Sequence, residues 1–348
     1  MRIRFVVRNN DMNRGSYRVW VDNFSQTLNS LGVQTNILKA DEHNVRSPSN
    51  LDCVIYDKGI TPPLPPHTHQ SHGSQKAKTL IGAINPPANK KYDVDFVIVG
   101  SREEENSLSF YENIIFVPLI EVKIKIDNRI HTKGTSLCIG YHGNEEHLNS
   151  FESCGLTKAL EQFKRFNESK SIETKLVVIS PKHNPEWRSG RPKIDTEFHK
   201  YDWNNFCDLL NYIDIGIVPN SYYQKPRFLS KLSNINSLYG KYDTDYVMRF
   251  KNKTNHGRLL VFMRAKIPAI ADLSPSHLAL LGDDANGFLA ANSAAWLRHL
   301  KVLSSPAMRQ QVADNAFTFV CEKYDESQYA KRFIEQIKMI KARKPSIS

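Results

Sequence analysis

Apolar residues in this chain come in short dense runs separated by amphipathic stretches, and the two alternate along most of its length. Runs at Ile3–Val7, Val33–Leu38, Leu51–Tyr56, Thr79–Ile84, Phe96–Val99 and Ile114–Leu119 predict the strands of the first half. Several are continuously apolar instead of alternating, the pattern of parallel strands covered on both faces. Between the first two strands, Trp20, Phe24, Leu28 and Leu31 recur at helical spacing, and Gly32 closes that helix. A second series predicts strands at Leu137–Tyr141, Lys175–Ile179, Ile213–Val218 and Ile267–Ala271, with a short one near Gly287-Phe288-Leu289. Its helical stripes are Leu156, Leu160 and Phe163, then Phe206, Leu210 and Ile213, then Trp296 and Leu300, and Ser305-Pro306 caps and opens another helix. The alternation predicts an α/β protein of two doubly wound units.

Apolar periodicity lapses over residues 126–135, the best linker. The expected organisation is therefore a first domain over 1–128, a linker at 129–135, a second domain over 136–325, and a last helix with a basic tail over 326–348. The stripe of that helix is Tyr329, Phe333, Ile337 and Ile340. At 348 residues the chain exceeds what one core usually serves, which agrees with two domains.

The 40% apolar and 24% charged residues are those of a soluble globular protein. Met1–Val7 alternates charged and apolar residues without a long apolar run, so no secretory signal is read and a cytosolic protein is expected. The five cysteines are scattered and odd in number, which implies neither a disulfide framework nor a zinc site. A net charge of +11 points to anionic company: nucleotides, nucleic acid, anionic glycans or phospholipid headgroups. No zinc finger, helix-turn-helix signature or aromatic RNA-binding strand is visible, so nucleic acid is set aside. The tail from Lys338 to Lys344 is basic; it reads as a solvated helix end or as a peripheral membrane contact.

Three segments depart from the α/β pattern. Thr61–His72 is proline-rich and carries His67, His69 and His72; without accompanying cysteines or carboxylates it reads as an exposed loop rather than a metal site. Tyr222–Phe250 is a long polar stretch with aromatics, too long for an ordinary connection. The third, Lys251-Asn252-Lys253-Thr254-Asn255-His256-Gly257-Arg258, is a cationic turn running into the apolar helix that begins at Leu259. Backbone N–H groups and the positive end of a helix dipole face outward at such a turn, so it is either a phosphate site or a solvated basic loop.

Several motifs, in their order and spacing, resemble the retaining GT-B glycosyltransferases of bacterial polysaccharide and lipopolysaccharide synthesis. Gly15-Ser16-Tyr17-Arg18-Val19-Trp20 and Leu31-Gly32-Val33 resemble the family's opening glycine turn and second strand. Leu137–Gly143 resembles the strand that begins the donor domain, and Tyr212–Pro219 its "ala-asp-ile-gly-leu-val-pro" strand. Lys266–Asp272, Gly287-Phe288-Leu289 and Trp296 resemble the run that closes the sheet. The chain departs from the family at two glutamates spaced eight residues apart, where Lys253 and Val261 stand; its turn resembles instead a "lys-thr-asn-x-x-arg" variant.

The resemblance implies two Rossmann-like domains facing across a cleft, the first binding acceptor and the second a nucleotide sugar, with the last helix crossing back toward the first. It also implies transfer without a cofactor or metal, and a glycan or lipid-linked acceptor. Arg258 and Lys253 would stabilise the leaving diphosphate, with Thr254, Asn255, His256 and Gly257 contributing backbone groups. His142 and Gly143 end a strand where α/β sheets bind ligands, Lys182 reaches for diphosphate or is a surface lysine, and Tyr201 flanks the base. Gly15 and Ser16 border the cleft or form a simple turn, and Asn85 stands where relatives place a catalytic-site histidine. Two other readings remain at this point, a GT-B-fold sugar-nucleotide epimerase and a catalytically silent partner subunit.

Overall fold

The computed structural model describes residues 1–45, 50–63, 79–124, 126, 129–187, 190–220, 255–282 and 284–343. His67, His69 and His72, the Tyr222–Phe250 segment, Lys253 and Thr254 lie outside the described residues. The chain divides into two compact units, Met1–Lys123 with Glu322–Ser348, and Ile124–Cys321.

The sheet of the first unit contains β1 (Arg2–Val7), β2 (Gln34–Lys39), β3 (Cys53–Tyr56), β4 (Leu80–Ile84), β5 (Phe96–Val99) and β6 (Ile114–Phe116). Its order is β2-β1-β3-β4-β5-β6, and every pairing is parallel. β3 and β5 are buried at every position, which explains their unbroken apolar sequence. The first helical run opens at Gly15–Tyr17, widens to a π-helical stretch at Arg18–Asn23, and continues at Phe24–Ser30. Trp20, Phe24 and Leu28 are buried along it, and they join Phe5, Ile55, Phe96 and Ile98 in one core. The Glu326–Arg343 helix adds Phe333 and Ile337 to the same core, with Phe333 edge-on to Phe24 at 5.3 Å.

A buried ion pair pins the helical run. Arg18 Nε donates to Glu121 Oε2 at 2.7 Å and Asn23 Nδ2 donates to Glu121 Oε1 at 3.0 Å, so both carboxylate oxygens are matched. Arg18 also donates to the Met12 carbonyl, tying down the loop ahead of the helix. Trp20 Nε1 reaches the Val117 carbonyl at 2.8 Å.

In the second unit β7 (Ser136–His142), β8 (Glu173–Ser180), β9 (Asp195–Lys200), β10 (Ile215–Val218), β11 (Ala269–Asp272) and β12 (Phe288–Ala290) form another all-parallel sheet. Its order is β12-β11-β10-β7-β8-β9. β9 has no counterpart among the expected strands: it is an edge strand of sequence Asp-Thr-Glu-Phe-His-Lys, half exposed and too polar to read as a buried one. Leu156, Leu160, Phe163, Trp296 and Leu300 are fully buried against Ile139, Leu176 and Ile215. Residues 129–132, expected as linker, are buttoned to this unit. Arg129 donates to the carbonyls of Leu210, Asn211 and Ile213, the His131 ring meets the Lys266 carbonyl at 3.0 Å, and Arg309 donates to the Thr132 carbonyl at 2.8 Å. Among the described residues no helix is long and apolar enough to cross a membrane.

Removing one partner of a buried ion pair strands the other. Arg18→Met should therefore destabilise the protein by about 3–5 kcal/mol at neutral pH, read by chemical denaturation. Burial already raises the Glu121 pKa against the pull of Arg18. Losing the cation raises it further, and a carboxyl with a raised folded-state pKa loses stability as pH rises through it. The deficit should thus shrink as the pH falls toward about 4, where the unfolded-state carboxyl also protonates. A deficit independent of pH would assign the effect to packing instead.

Candidate functional site

Strand order in the second sheet reverses at β7 and β10: the chain runs from β7 outward to β9, then returns to the other side of β7 with β10. The crevice beyond the carboxyl ends at such a reversal is where open α/β sheets receive ligands. His142 ends β7 and Gly143 follows it; Pro219 and Asn220 follow β10. The Gly257–Arg264 helix leads into β11 and brings Arg258 to the same place.

That helix begins with an Asx turn, the Gly257 N–H donating to Asn255 Oδ1 at 3.2 Å, and its N-cap residue His256 does not cap it through the side chain. No acidic residue lies in the first turn, so the positive end of its dipole is not offset from within. Arg258 Nη2 donates to the Pro219 carbonyl at 2.9 Å and to Asn220 Oδ1 at 3.1 Å. Nη1 is buried and has no hydrogen-bond partner among the described residues. Burial pulls the Arg258 pKa down, and Tyr141 and Asp272 oppose that pull. Nη2 is thus anchored to the strand end, while Nη1 is unmatched among the described residues.

Local sequence explains the fit. Gly143 has φ +138°, and a Cβ there would lie 2.8 Å from Arg258 Cδ and 3.1 Å from the Tyr141 hydroxyl, so the arginine stem rests where only glycine leaves room. Gly216 on β10 does the same for the helix: a Cβ would lie 2.6 Å from the Phe262 ring. His142 is buried edge-on to Phe206 at 5.3 Å and to Phe262 at 4.8 Å, and its Nε2 lies 3.1 Å from the Arg258 carbonyl. A carbonyl only accepts, so that nitrogen carries the proton.

The structure therefore brings together His142, Gly143, Asn255, His256, Gly257 and Arg258. Lys182 stands apart: it is exposed and paired with Glu145 at 2.7 Å, an ion pair that raises the lysine pKa and lowers that of the carboxyl. Tyr201 follows β9; its N–H donates to the Ser180 carbonyl and its ring lies 4.8 Å from Phe206. In the first unit Gly15 and Ser16 open the helical run, and Asn85 follows β4. Asn85 is buried at φ +42° and donates through Nδ2 to Glu104 Oε1 at 2.7 Å.

Three buried polar residues escaped the sequence reading. Glu104 accepts from Asn85 and, through Oε2, from the Gly100 N–H at 2.7 Å. Its signal was the capping spacing Ser101-x-x-Glu104, and the Ser101 hydroxyl does cap the Arg102–Ser107 helix. Asp57 lies where the first sheet reverses, between β1 and β3, 3.3 Å from Arg14 Nη2. Burial raises its pKa more than Arg14 lowers it. Asn220 is the third. Asp57 and Asn220 share one signal, a polar residue just beyond an apolar strand.

Neither a family profile nor a curated protein sequence matches this chain. Solved structures do. TarM is 11% identical with a TM-score of 0.52, the match covering 90% of this chain and 58% of TarM. The chain thus spans somewhat over half the length of TarM. HepE from Anabaena, solved with UDP and glucose, is 11% identical over 97% of this chain and 100% of its own, with a TM-score of 0.58. AviGT4, a glycosyltransferase involved in avilamycin A biosynthesis, is 12% identical over 98% of each chain, with a TM-score of 0.55. At these identities the likeness is one of fold: two Rossmann-like units, each with a six-stranded parallel sheet, as in GT-B proteins.

The contact between Gly143 and Arg258 has a measurable signature. Gly143→Ala should cost about 1–3 kcal/mol of stability, from strained backbone and from the displaced arginine stem. In an Arg258→Ala background the same change should cost less, since the steric share is gone. An equal loss in both backgrounds, by thermal or chemical denaturation, would show that the stem does not rest on Gly143.

Proposed function

We propose that this protein is a GT-B nucleotide-sugar glycosyltransferase whose second unit holds the donor diphosphate at the β7/β10 crevice. The observation that carries the reading is Arg258, a cation fixed by Pro219 and Asn220 with Nη1 buried and unmatched among the described residues, on the first turn of a helix with no acidic residue in that turn. Negative charge grows on a nucleoside diphosphate as the glycosidic bond breaks. A preorganised cation beside outward-facing amides stabilises that charge without reorganising during the reaction. Arg258 and the Asn255–Gly257 turn fit this demand, and Lys253 and Thr254 belong to the same turn in sequence. HepE, a structural neighbour, was solved with UDP and glucose. His142 and Gly143 support Arg258 in this reading, one through its carbonyl and the other under its stem.

The finer assignments rest on the motif resemblance and the net charge of +11. They are retention of configuration, a glycan or lipid-linked acceptor of a bacterial surface polysaccharide, and work at the cytoplasmic face of a membrane. Gly15, Ser16 and Asn85 in the first unit take the acceptor side; Tyr201 and Lys182 remain donor-side candidates.

Screening wild type with a panel of nucleotide sugars should give turnover for at least one. Arg258→Ala should then lower kcat by on the order of 10²-fold or more, the typical cost of a lost electrostatic donor. Arg258→Lys should recover little, because a lysine cannot reproduce the planar fork. A chelator should change little, since the charge at the turn is the protein's own. Unchanged turnover in Arg258→Ala, or activity abolished by chelation alone, would return the turn to a solvated basic loop.

The acceptor side is tested separately. Asn85→Ala should reduce transfer while leaving nucleotide affinity nearly unchanged. Parallel loss of both would instead reflect the buried Glu104 carboxylate left with one partner fewer, and the acceptor role would be dropped.

A further inference from the structure

Asn220 sits just beyond β10 with only 2% of its surface exposed. Its side-chain oxygen lies 3.1 Å from Arg258 Nη2. A guanidinium has no acceptor, so the amide atom that faces it must be the oxygen, and the orientation of this asparagine is fixed by chemistry. The NH2 group is consequently turned away from Arg258. It is buried and meets no acceptor among the described residues. Buried side-chain polar atoms are nearly always paired, so an orphaned amide here calls for an explanation. Beside it, Arg258 Nη1 is buried and, among the described residues, unmatched as well. Two neighbouring residues, joined by one hydrogen bond, thus each leave a donor unspent at the crevice of the sheet.

We propose that Asn220 is a direct donor-site contact: its Nδ2 and Arg258 Nη1 together grip an oxygen of the diphosphate. The inference rests on the nucleotide-sugar reading and adds to it a ligand contact outside the cationic turn. A sugar hydroxyl would also accept from an amide. A diphosphate oxygen is favoured because both unmatched groups are donors only, one is cationic, and the start of the Gly257–Arg264 helix lies alongside. Asn220 then has two jobs. Its oxygen orients the guanidinium, and its NH2 touches the ligand.

The two jobs separate in calorimetric titrations of UDP, GDP, ADP and TDP, and of the nucleoside of whichever binds. The proteins are wild type, Asn220→Ala, Asn220→Asp, Arg258→Ala and Arg258→Ala/Asn220→Ala. Asn220→Asp keeps an acceptor for Arg258, so it holds the fold where the alanine variant fails; its carboxylate should repel the diphosphate and weaken binding by well over tenfold. Asn220→Ala should weaken binding by on the order of tenfold, and a further loss of similar size should persist in the Arg258→Ala background. The nucleoside should bind wild type and Asn220→Ala alike. If Asn220→Ala has no effect once Arg258 is removed, the asparagine only positions the arginine; this inference falls and the proposed function stands. Loss of nucleoside binding in Asn220→Ala would place the residue on the base or ribose and overturn the diphosphate contact. Wild type binding none of the four nucleotides would overturn the proposed function together with this inference.

Discussion

Much of the second unit is arranged to keep one guanidinium at the end of a parallel sheet. A charge taken partly out of water must be met by acceptors, and Arg258 Nη2 meets two, the Pro219 carbonyl and the Asn220 side chain. Those acceptors come from the strand end, so the arginine is held to the sheet and not merely to its own helix. The helix is held in turn. His142 donates to the Arg258 carbonyl while its ring lies against Phe206 and Phe262, and Gly216 lets Phe262 sit directly on β10. A change in any of these moves the charge, which is why residues with no ligand contact of their own belong to the site's physics.

The first unit solves a different problem with the opposite charge. Glu121, Glu104 and Asp57 are buried carboxylates, each met by neighbours. For Glu121 and Asp57 burial raises the pKa in spite of a facing arginine, so neither pair fully offsets its desolvation. Such groups are costly as stabilisers and effective as fixtures. Glu121 locks the π-helical turn and the preceding loop into one geometry, and Glu104 fixes the backbone at Gly100 and the side chain at Asn85. The segments so fixed, around Gly15 and Asn85, are the ones proposed for the acceptor side.

Legibility in the sequence followed burial. Strands covered on both faces, such as β3 and β5, announce themselves by unbroken apolar runs, and helices such as Leu156–Glu168 by one buried stripe. β9 did not, because an edge strand needs no apolar face and its residues alternate only weakly. At the site, Gly143 and Arg258 were readable because a strand end and a cationic turn carry local signals. That they touch was not, since residues 143 and 258 meet only through the β7–β10 reversal. Asn220 and Asp57 were missed for a related reason. One polar residue after an apolar run is what any strand end looks like, and only three-dimensional neighbours distinguish a fixture from a loop.

The departure at Val261 bears on how such a site can recognise a ligand. From Leu259 to Met263 every side chain of the helix is buried and apolar, so Val261 offers a ligand no acceptor. Among the described residues, the polar groups at the start of this helix belong to residues 255–258. The strand ends beside it add Gly143 after β7, Asn220 after β10 and the fully buried Asp272 that closes β11. Asp272 tempers the charge of Arg258 from that position. With its countercharge on the strand and no acidic residue in its first turn, the start of the helix stays positive. On the proposed reading this favours the diphosphate over the sugar as the part of the donor held most tightly.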